Sequence, residues 1–224
     1  LSAKKARNSE AVAQYSTKFK PIVPRNEAQE KYLNAISNQD IVIATGPAGT
    51  GKTYVSTSYA AEQLYYKKIN KLILTRPNIE AGESMGFLPG TLDEKYAPYL
   101  YPFIETLEEK LGKSFVEYLL KNKVIEPIPI GFLRGRTFNN SIVILDEAQN
   151  ATKEQFKLIL SRVGIGCKII LEGDIDQVDI KLSGLEDASK RLSKISGIQT
   201  IHFTQGDIVR SRLCRAIVEA YSKK

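Results

Sequence analysis

The chain has 224 residues, 42% of them hydrophobic and 25% charged, with a formal net charge of +7. That is an ordinary soluble globular balance, with room for one large domain or two small ones. No apolar run approaches the roughly 20 residues of a membrane span and no secretory leader pattern opens the chain, so no membrane role and a cytoplasmic location are expected. Cys167 and Cys214 stand far apart with no C-x-x-C; they suit a reducing compartment, offer no zinc site, and read best as small buried hydrophobes. The first residue is Leu1, so a natural start is expected upstream.

Residues 1–24 form a basic arm. Lys4, Lys5, Arg7, Lys18 and Lys20, with Arg25 at its border, face Glu10 alone, so much of the positive excess sits here. Such an arm either binds phosphate backbones nonspecifically or is a solvated, frayed terminus. Pro21 and Pro24 bracket an extended entry. Asn26 caps a predicted helix to Ile36, with Tyr32, Leu33 and Ile36 on one face. Ile41 to Thr45 is apolar and β-branched and reads as a buried strand. It runs into Gly46-Pro47-Ala48-Gly49-Thr50-Gly51-Lys52-Thr53, the Walker A phosphate loop. Its glycines let several backbone N–H groups face one anion, the following helix adds its positive end, Lys52 reaches the outer phosphates and the Thr53 hydroxyl suits Mg²⁺. A nucleoside triphosphate with Mg²⁺ is the expected ligand.

A helix is predicted over 54–68, with Ala60, Ala61 and Leu64 inward, then a strand over 71–75 that stops at Arg76-Pro77. Glycines 82, 86 and 90 punctuate a loop. Helices follow over 92–111, with breaks at Pro98 and Pro102, and over 113–122. Residues 126–133 read as an extended edge piece because of their prolines. Strands over 141–146, 168–172 and 199–204 alternate with helices over 152–163, 185–195 and 207–221. Strand and helix in alternation predict an α/β fold with a parallel sheet flanked by helices. With no repeat and no linker, residues 25–224 are expected to form one domain.

Ile142-Val-Ile-Leu-Asp146-Glu147 delivers two carboxylates to a strand end, as a Walker B motif does. Asp146 suits Mg²⁺ and Glu147 suits a base for the attacking water. A glutamate beside the metal aspartate favours hydrolysis over transfer to a small acceptor. Gln149 follows, and Gly173-Asp174-Ile-Asp-Gln177 comes directly after the next strand; a polar amide here can bond the γ-phosphate and report its loss.

Taken together, Gly46–Thr53, Thr75-Arg-Pro-Asn-Ile-Glu-Ala-Gly-Glu83, Phe132-Leu-Arg-Gly-Arg-Thr137, Asp146–Asn150, Gly173-Asp-x-x-Gln177 and Asp207-Ile-Val-Arg210-Ser resemble the PhoH family over nearly all of 25–221. That family resembles the first motor domain of superfamily 1 helicases. The resemblance implies a RecA-like P-loop ATPase core, phage or bacterial, with a helical insertion between the second strand and the Walker B strand. It implies a suspected role on RNA or single-stranded nucleic acid. It makes Gln29 the reader of adenine, sets the 168–172 strand between those at 41–45 and 141–145, and puts Arg76, Pro77 and Asn78 against a nucleic-acid backbone. No part of the chain matches the RNA-cutting domain fused in some relatives, so nuclease activity is not expected.

Hydrolysis builds charge on the γ-phosphate, where one guanidinium is worth about 10³–10⁵ in rate. The chain is too short for a second motor domain, so the arginine is expected from a neighbouring copy in a head-to-tail homo-oligomer, a hexameric ring on the family resemblance. Arg210, Arg134 and Arg136 are the candidates; ordinary surface ion pairs are the alternative. Catalysis is assigned to Lys52, Glu147, Gln177 and Arg210. Phe87, Tyr96, Tyr99, Tyr101 and Phe103 either stack on bases or, as their acidic neighbours favour, pack a satellite core or a subunit contact. His202 reads as structural, since it has no Cys or His partner.

Overall fold

A computed structural model describes residues 19–77, 100–180 and 182–209. The sheet follows from four apolar central strands and two more polar or shorter edges. β1 is Ile41–Thr45, β2 Lys71–Thr75, β3 Ile125–Pro127, β4 Ser141–Leu145, β5 Lys168–Gly173 and β6 Ile198–His202. Their order is β3-β2-β4-β5-β1-β6, with every pair parallel. β5 lies between β1 and β4, as the resemblance implied. β1, β4 and β5 are buried on both faces, which is why they read as continuous apolar runs.

Alternate residues feed two cores. Val42, Ala44, Leu72, Leu74, Ile142, Ile144 and Ile170 point to one face. There they meet α1 (Glu27–Asn38), α2 (Lys52–Tyr65), α3 (Tyr101–Leu111) and α4 (Lys113–Lys121) through Tyr32, Ile36, Val55, Leu64, Phe103, Leu107 and Phe115. Ile43, Ile73, Val143, Leu145, Ile169 and Leu171 point to the other. There α5 (Lys153–Leu160) and α6 (Leu185–Leu192) supply Phe156, Ile159, Leu185 and Ala188. α3 and α4 are the helical insertion between β2 and β4. α3 lies against α2, where buried Lys110 donates to the Tyr54 hydroxyl at 2.8 Å.

Several boundaries differ from the sequence reading, each for a local reason. Pro102 occupies the first turn of α3, where its missing N–H has no role to lose; the part of the expected helix before residue 100, with Pro98, lies outside the described residues. The extended piece expected over 126–133 is a strand only to Pro127, and Ile130–Leu133 turns into a 3-10 helix. α5 and α6 stop at Leu160 and Leu192, short of the expected ends, and β6 stops at His202. Asp207 closes a 3-10 turn instead of opening a helix, its carboxylate accepting from the Thr204 N–H at 2.7 Å; from residue 210 onward the expected helix lies outside the described residues. Phe103 is fully buried and Tyr101 is exposed, so the inserted aromatics do not act as one set; Phe87, Tyr96 and Tyr99 lie outside the described residues.

The basic arm was expected to extend to residue 24, but Phe19 is buried. Its ring centroid lies 5.3 Å from that of Tyr65 and 6.0 Å from that of Tyr66. Phe19→Ala is therefore expected to lower the unfolding free energy by about 2 kcal/mol or more; a urea titration that leaves the midpoint unchanged would return Phe19 to the arm.

Candidate functional site

All the site residues brought together by the fold come from one edge of the sheet. The register pairs Thr45 with Gly173, Leu145 with Leu171 and Thr75 with Leu145. The loops after β1, β2, β4 and β5 therefore leave the sheet side by side. Ligands bind at this carboxyl edge in open α/β sheets.

The Walker A loop turns on left-handed glycines, Gly49 at φ 83° and Gly51 at φ 84°. Gly46 must be glycine for a second reason: a Cβ there would strike the Phe203 carbonyl. α2 begins at Lys52 with no side chain capping its first turn, so its N–H groups face the loop. Lys52 Nζ donates to the carbonyls of Gly46 at 2.6 Å and Pro47 at 3.0 Å. Thr50 is buried and its hydroxyl donates to Pro47 O at 3.0 Å.

Gln29 is buried against this loop. Its amide donates to Thr50 O at 2.9 Å and accepts from the Arg25 N–H at 2.9 Å. In this arrangement both ends of the group expected to read adenine are engaged with backbone, and Gln29 ties α1 to the phosphate loop. The segment after β6 grips the same loop, since the Val209 N–H donates to Gly49 O at 3.0 Å.

A cavity of about 300 Å³ brings Lys52, Thr53, Arg76, Asp146, Glu147 and Gln177 together, with Ala48, Gly49 and Gly51 on its wall. Asp146 follows β4, its N–H donating to Thr75 O at 3.0 Å. Glu147 sits at φ 52°, a left-handed backbone that costs a non-glycine residue about 1 kcal/mol or more and persists where surrounding contacts impose it. Gln149, buried, bridges the two motifs: its amide donates to Glu147 Oε2 at 2.6 Å and accepts from the Asp174 N–H at 3.0 Å. Gln177 is exposed at the mouth, its N–H bonded to Asp174 O at 3.1 Å.

The remaining candidates separate. Arg76, offered by resemblance to a nucleic-acid backbone, turns inward: Nη2 lies 2.6 Å from Glu147 Oε1 and Nε 3.5 Å from Asp146 Oδ2. Pro77 lies beside it on an adjoining cavity of about 400 Å³. Arg136 donates to both oxygens of Glu126 at 3.1 and 2.9 Å and covers the Phe138 ring. Arg134 is exposed. Asn78, Cys214 and Arg210 lie outside the described residues. His202 Nδ1 is 2.6 Å from the Thr45 hydroxyl at the strand ends, a structural position.

Burial lowers the Lys52 pKa, against the pull of Glu172, Asp174, Asp146 and Glu147. Burial raises that of Asp146; Arg76 opposes the rise and Glu147 adds to it. A cation entering beside Asp146 relieves that cost. Mg²⁺ takes hard oxygen ligands, with one or two from protein and the rest from phosphates and waters. The Thr53 hydroxyl and the Asp146 carboxylate fit that donor set. No group of three His, Cys, Asp or Glu side chains among the described residues forms an all-protein metal cage.

Two features were not anticipated. One is Arg76 beside the two carboxylates of the Walker B motif. The other is Glu172 on β5, fully buried, with Oε1 accepting from the Tyr32 hydroxyl at 2.7 Å and Oε2 without a hydrogen-bond partner among the described residues. A charged residue ending the run Lys168-Ile-Ile-Leu-Glu172 was the available signal; its partner lies far away in sequence. Burial and the charge of Asp146 push its pKa up to about 7.

A phosphate loop between β1 and α2, with carboxylates at the end of β4 in this strand order, defines a nucleotide-binding P-loop domain of RecA-like fold. A family model described as PhoH-like protein matches residues 21–222. The chain is 44% identical over 216 residues to Protein PhoH of Escherichia coli K12, covering 94% of this chain and 61% of that protein. It is 45% identical over 212 residues to a PhoH-like protein of Bacillus subtilis 168, covering 93% and 66%. The chain belongs to the PhoH-like family and spans about two thirds or less of these relatives' lengths. A large terminase from a thermophilic bacteriophage aligns over 89% of this chain and 50% of its own, with a TM-score of 0.56 at 14% identity; that likeness is one of fold.

Glu172 generates a pH prediction. A carboxyl raised from 4.5 to about 7 on folding binds more protons folded than unfolded between those values. Its contribution to stability therefore falls as pH rises through that window, by about 3 kcal/mol. Glu172→Gln keeps an acceptor for Tyr32 and is expected to remove this slope. Urea midpoints at pH 5 and pH 8 check it: the variant should gain on the parent at pH 8 and not at pH 5.

Proposed function

We propose that the domain hydrolyses ATP to ADP and phosphate with Mg²⁺, and that the whole protein couples this to RNA or other single-stranded nucleic acid as a homo-oligomeric helicase or remodeller in the cytoplasm. The carrying observation is the cavity that joins Lys52 and Thr53 to Asp146, Glu147 and Gln177. Backbone N–H groups of the loop and Lys52 hold the β- and γ-phosphates. Bound by Thr53 and Asp146, Mg²⁺ would supply charge to the phosphate oxygens. Glu147 takes the proton of the attacking water. Gln177, at the cavity mouth, orients that water or senses the γ-phosphate. The nucleic-acid part of the reading is supported by the cluster of cations before Pro21.

A second reading is an ATP-gated binding switch with slow hydrolysis and no unwinding. It draws on one observation: both oxygens of Glu147 are already bonded, to Arg76 and to Gln149. A base held in this way turns over slowly until one partner lets go. Stimulation of ATPase by single-stranded RNA, with strand separation on a tailed duplex, selects the motor; tight binding without either selects the switch.

Lys52→Ala is expected to weaken ATP binding at least about 100-fold, since a half-buried cation within reach of several phosphate oxygens is lost; equilibrium binding of a fluorescent ATP analogue measures it. Glu147→Gln should bind ATP near the parent level while hydrolysis drops about 10²–10⁴-fold, the ordinary worth of a general base. Undiminished single-turnover hydrolysis would remove Glu147 from that role.

A further inference from the structure

Among the described residues, Lys52 and Arg76 are the two cations on the wall of the nucleotide cavity. Lys52 is anchored to loop carbonyls and belongs to the Walker A motif. Arg76 enters from the end of β2, where the in-register neighbour β4 brings Asp146 and Glu147 beside it. Its guanidinium occupies Oε1 of Glu147, while Gln149 occupies Oε2. A carboxylate bonded to a donor at each oxygen is poorly disposed to take a proton from water. A terminal phosphate delivered into the same cavity carries more charge than a carboxylate and matches a planar guanidinium in bidentate geometry. It therefore competes with Glu147 for Arg76.

We infer that Arg76 is a catalytic arginine supplied in cis, which leaves Glu147 for the γ-phosphate of the chain's own bound ATP. This rests on the reading of the site as an ATP hydrolase. One side-chain movement then does two things. It frees Glu147 Oε1, and it places positive charge on the phosphoryl group being transferred. The water oxygen forms a bond to the γ-phosphorus. The bond from that phosphorus to the β,γ-bridging oxygen breaks, ADP leaves with the electron pair, and the water proton passes to Glu147. A nucleic-acid phosphate is a poorer competitor for Arg76, because the adjoining cavity beyond the ion pair is lined by Asp176 and Asp179 and repels an anion. Of the arginines expected to act across a subunit boundary, Arg136 is committed to Glu126 within its own chain.

The test compares the parent with Arg76→Ala and Arg76→Lys. Single-turnover hydrolysis of ATP, affinity for a fluorescent ATP analogue, and trapping of ADP with tetrafluoroaluminate are measured on each. Arg76→Ala is expected to lose about 10³–10⁵ in rate and to lose trapping, with ATP affinity within about threefold of the parent. Arg76→Lys keeps a cation on the carboxylates and so guards against a folding failure. It should bind ATP yet hydrolyse it about 100-fold more slowly, because an ammonium cannot bridge two phosphate oxygens. Mixing Arg76→Ala with excess Glu147→Gln should restore nothing, since each site draws on its own arginine. Rescue in that mixture would overturn the proposal in favour of an arginine from a second copy. Parent-like or faster hydrolysis by Arg76→Ala would overturn it too, leaving Arg76 as a brake on Glu147. A parent chain with no Mg²⁺-dependent hydrolysis would overturn both this assignment and the reading beneath it, whereas hydrolysis in the parent with an unchanged variant overturns this assignment alone.

Discussion

Four neighbouring parallel strands in one fixed register are the constraint from which the site follows. β1 and β5 pair to their last residues, Thr45 with Gly173, and β2 and β4 to theirs, Thr75 with Leu145, while β5 runs two residues past its last partner on β4. Each strand then delivers polar groups to the same edge: the phosphate loop from β1, Asp174 from β5, Asp146 and Glu147 from β4, Arg76 from β2. A slip of one residue in any pair would move a carboxylate or a guanidinium by about 3.3 Å and turn the strand's apolar set from one core to the other. The two cores, one under α1–α4 and one under α5 and α6, therefore hold the chemistry in place as well as the fold. Gln149 completes the frame by spanning Glu147 and Asp174 across the edge.

Much of this was legible in the residues. The apolar runs at 41–45, 71–75 and 141–145 have little polar interruption, and each appears as a buried strand. Walker A and Walker B carry their chemistry in local order, so Lys52, Thr53, Asp146 and Glu147 could be placed without knowing the sheet. Other features depended on contacts that local order does not carry. Arg76 reads as a loop arginine until β2 is known to neighbour β4. Glu172 reads as a strand end until Tyr32 is found beside it. Phe19 reads as part of a basic arm because its packing partners, Tyr65 and Tyr66, lie well downstream. Gln29 looked like a ligand reader because resemblance supplied its role, whereas its neighbours supplied its hydrogen bonds.

The case for an arginine borrowed from another copy rested on the charge that hydrolysis builds on the γ-phosphate and on a length too short for a second motor domain. The register of β2 against β4 weakens that case by placing a guanidinium inside the chain's own cavity. Assembly and hydrolysis then become separable properties. Under the proposal for Arg76, each nucleotide site holds the charges its chemistry needs whether or not a second copy docks beside it.

β3 bears on how copies can meet. The strand is three residues long and includes Pro127, which has no N–H to offer an incoming backbone. Its Glu126 carries Lys71 at 2.7 Å and Arg136 at 2.9 Å, so an approaching strand faces fixed charge instead of open ladder groups. That border of the sheet is closed to growth by strand addition. A neighbour docking on this side must do so through helices and loops, where contacts can break and re-form without unravelling the sheet.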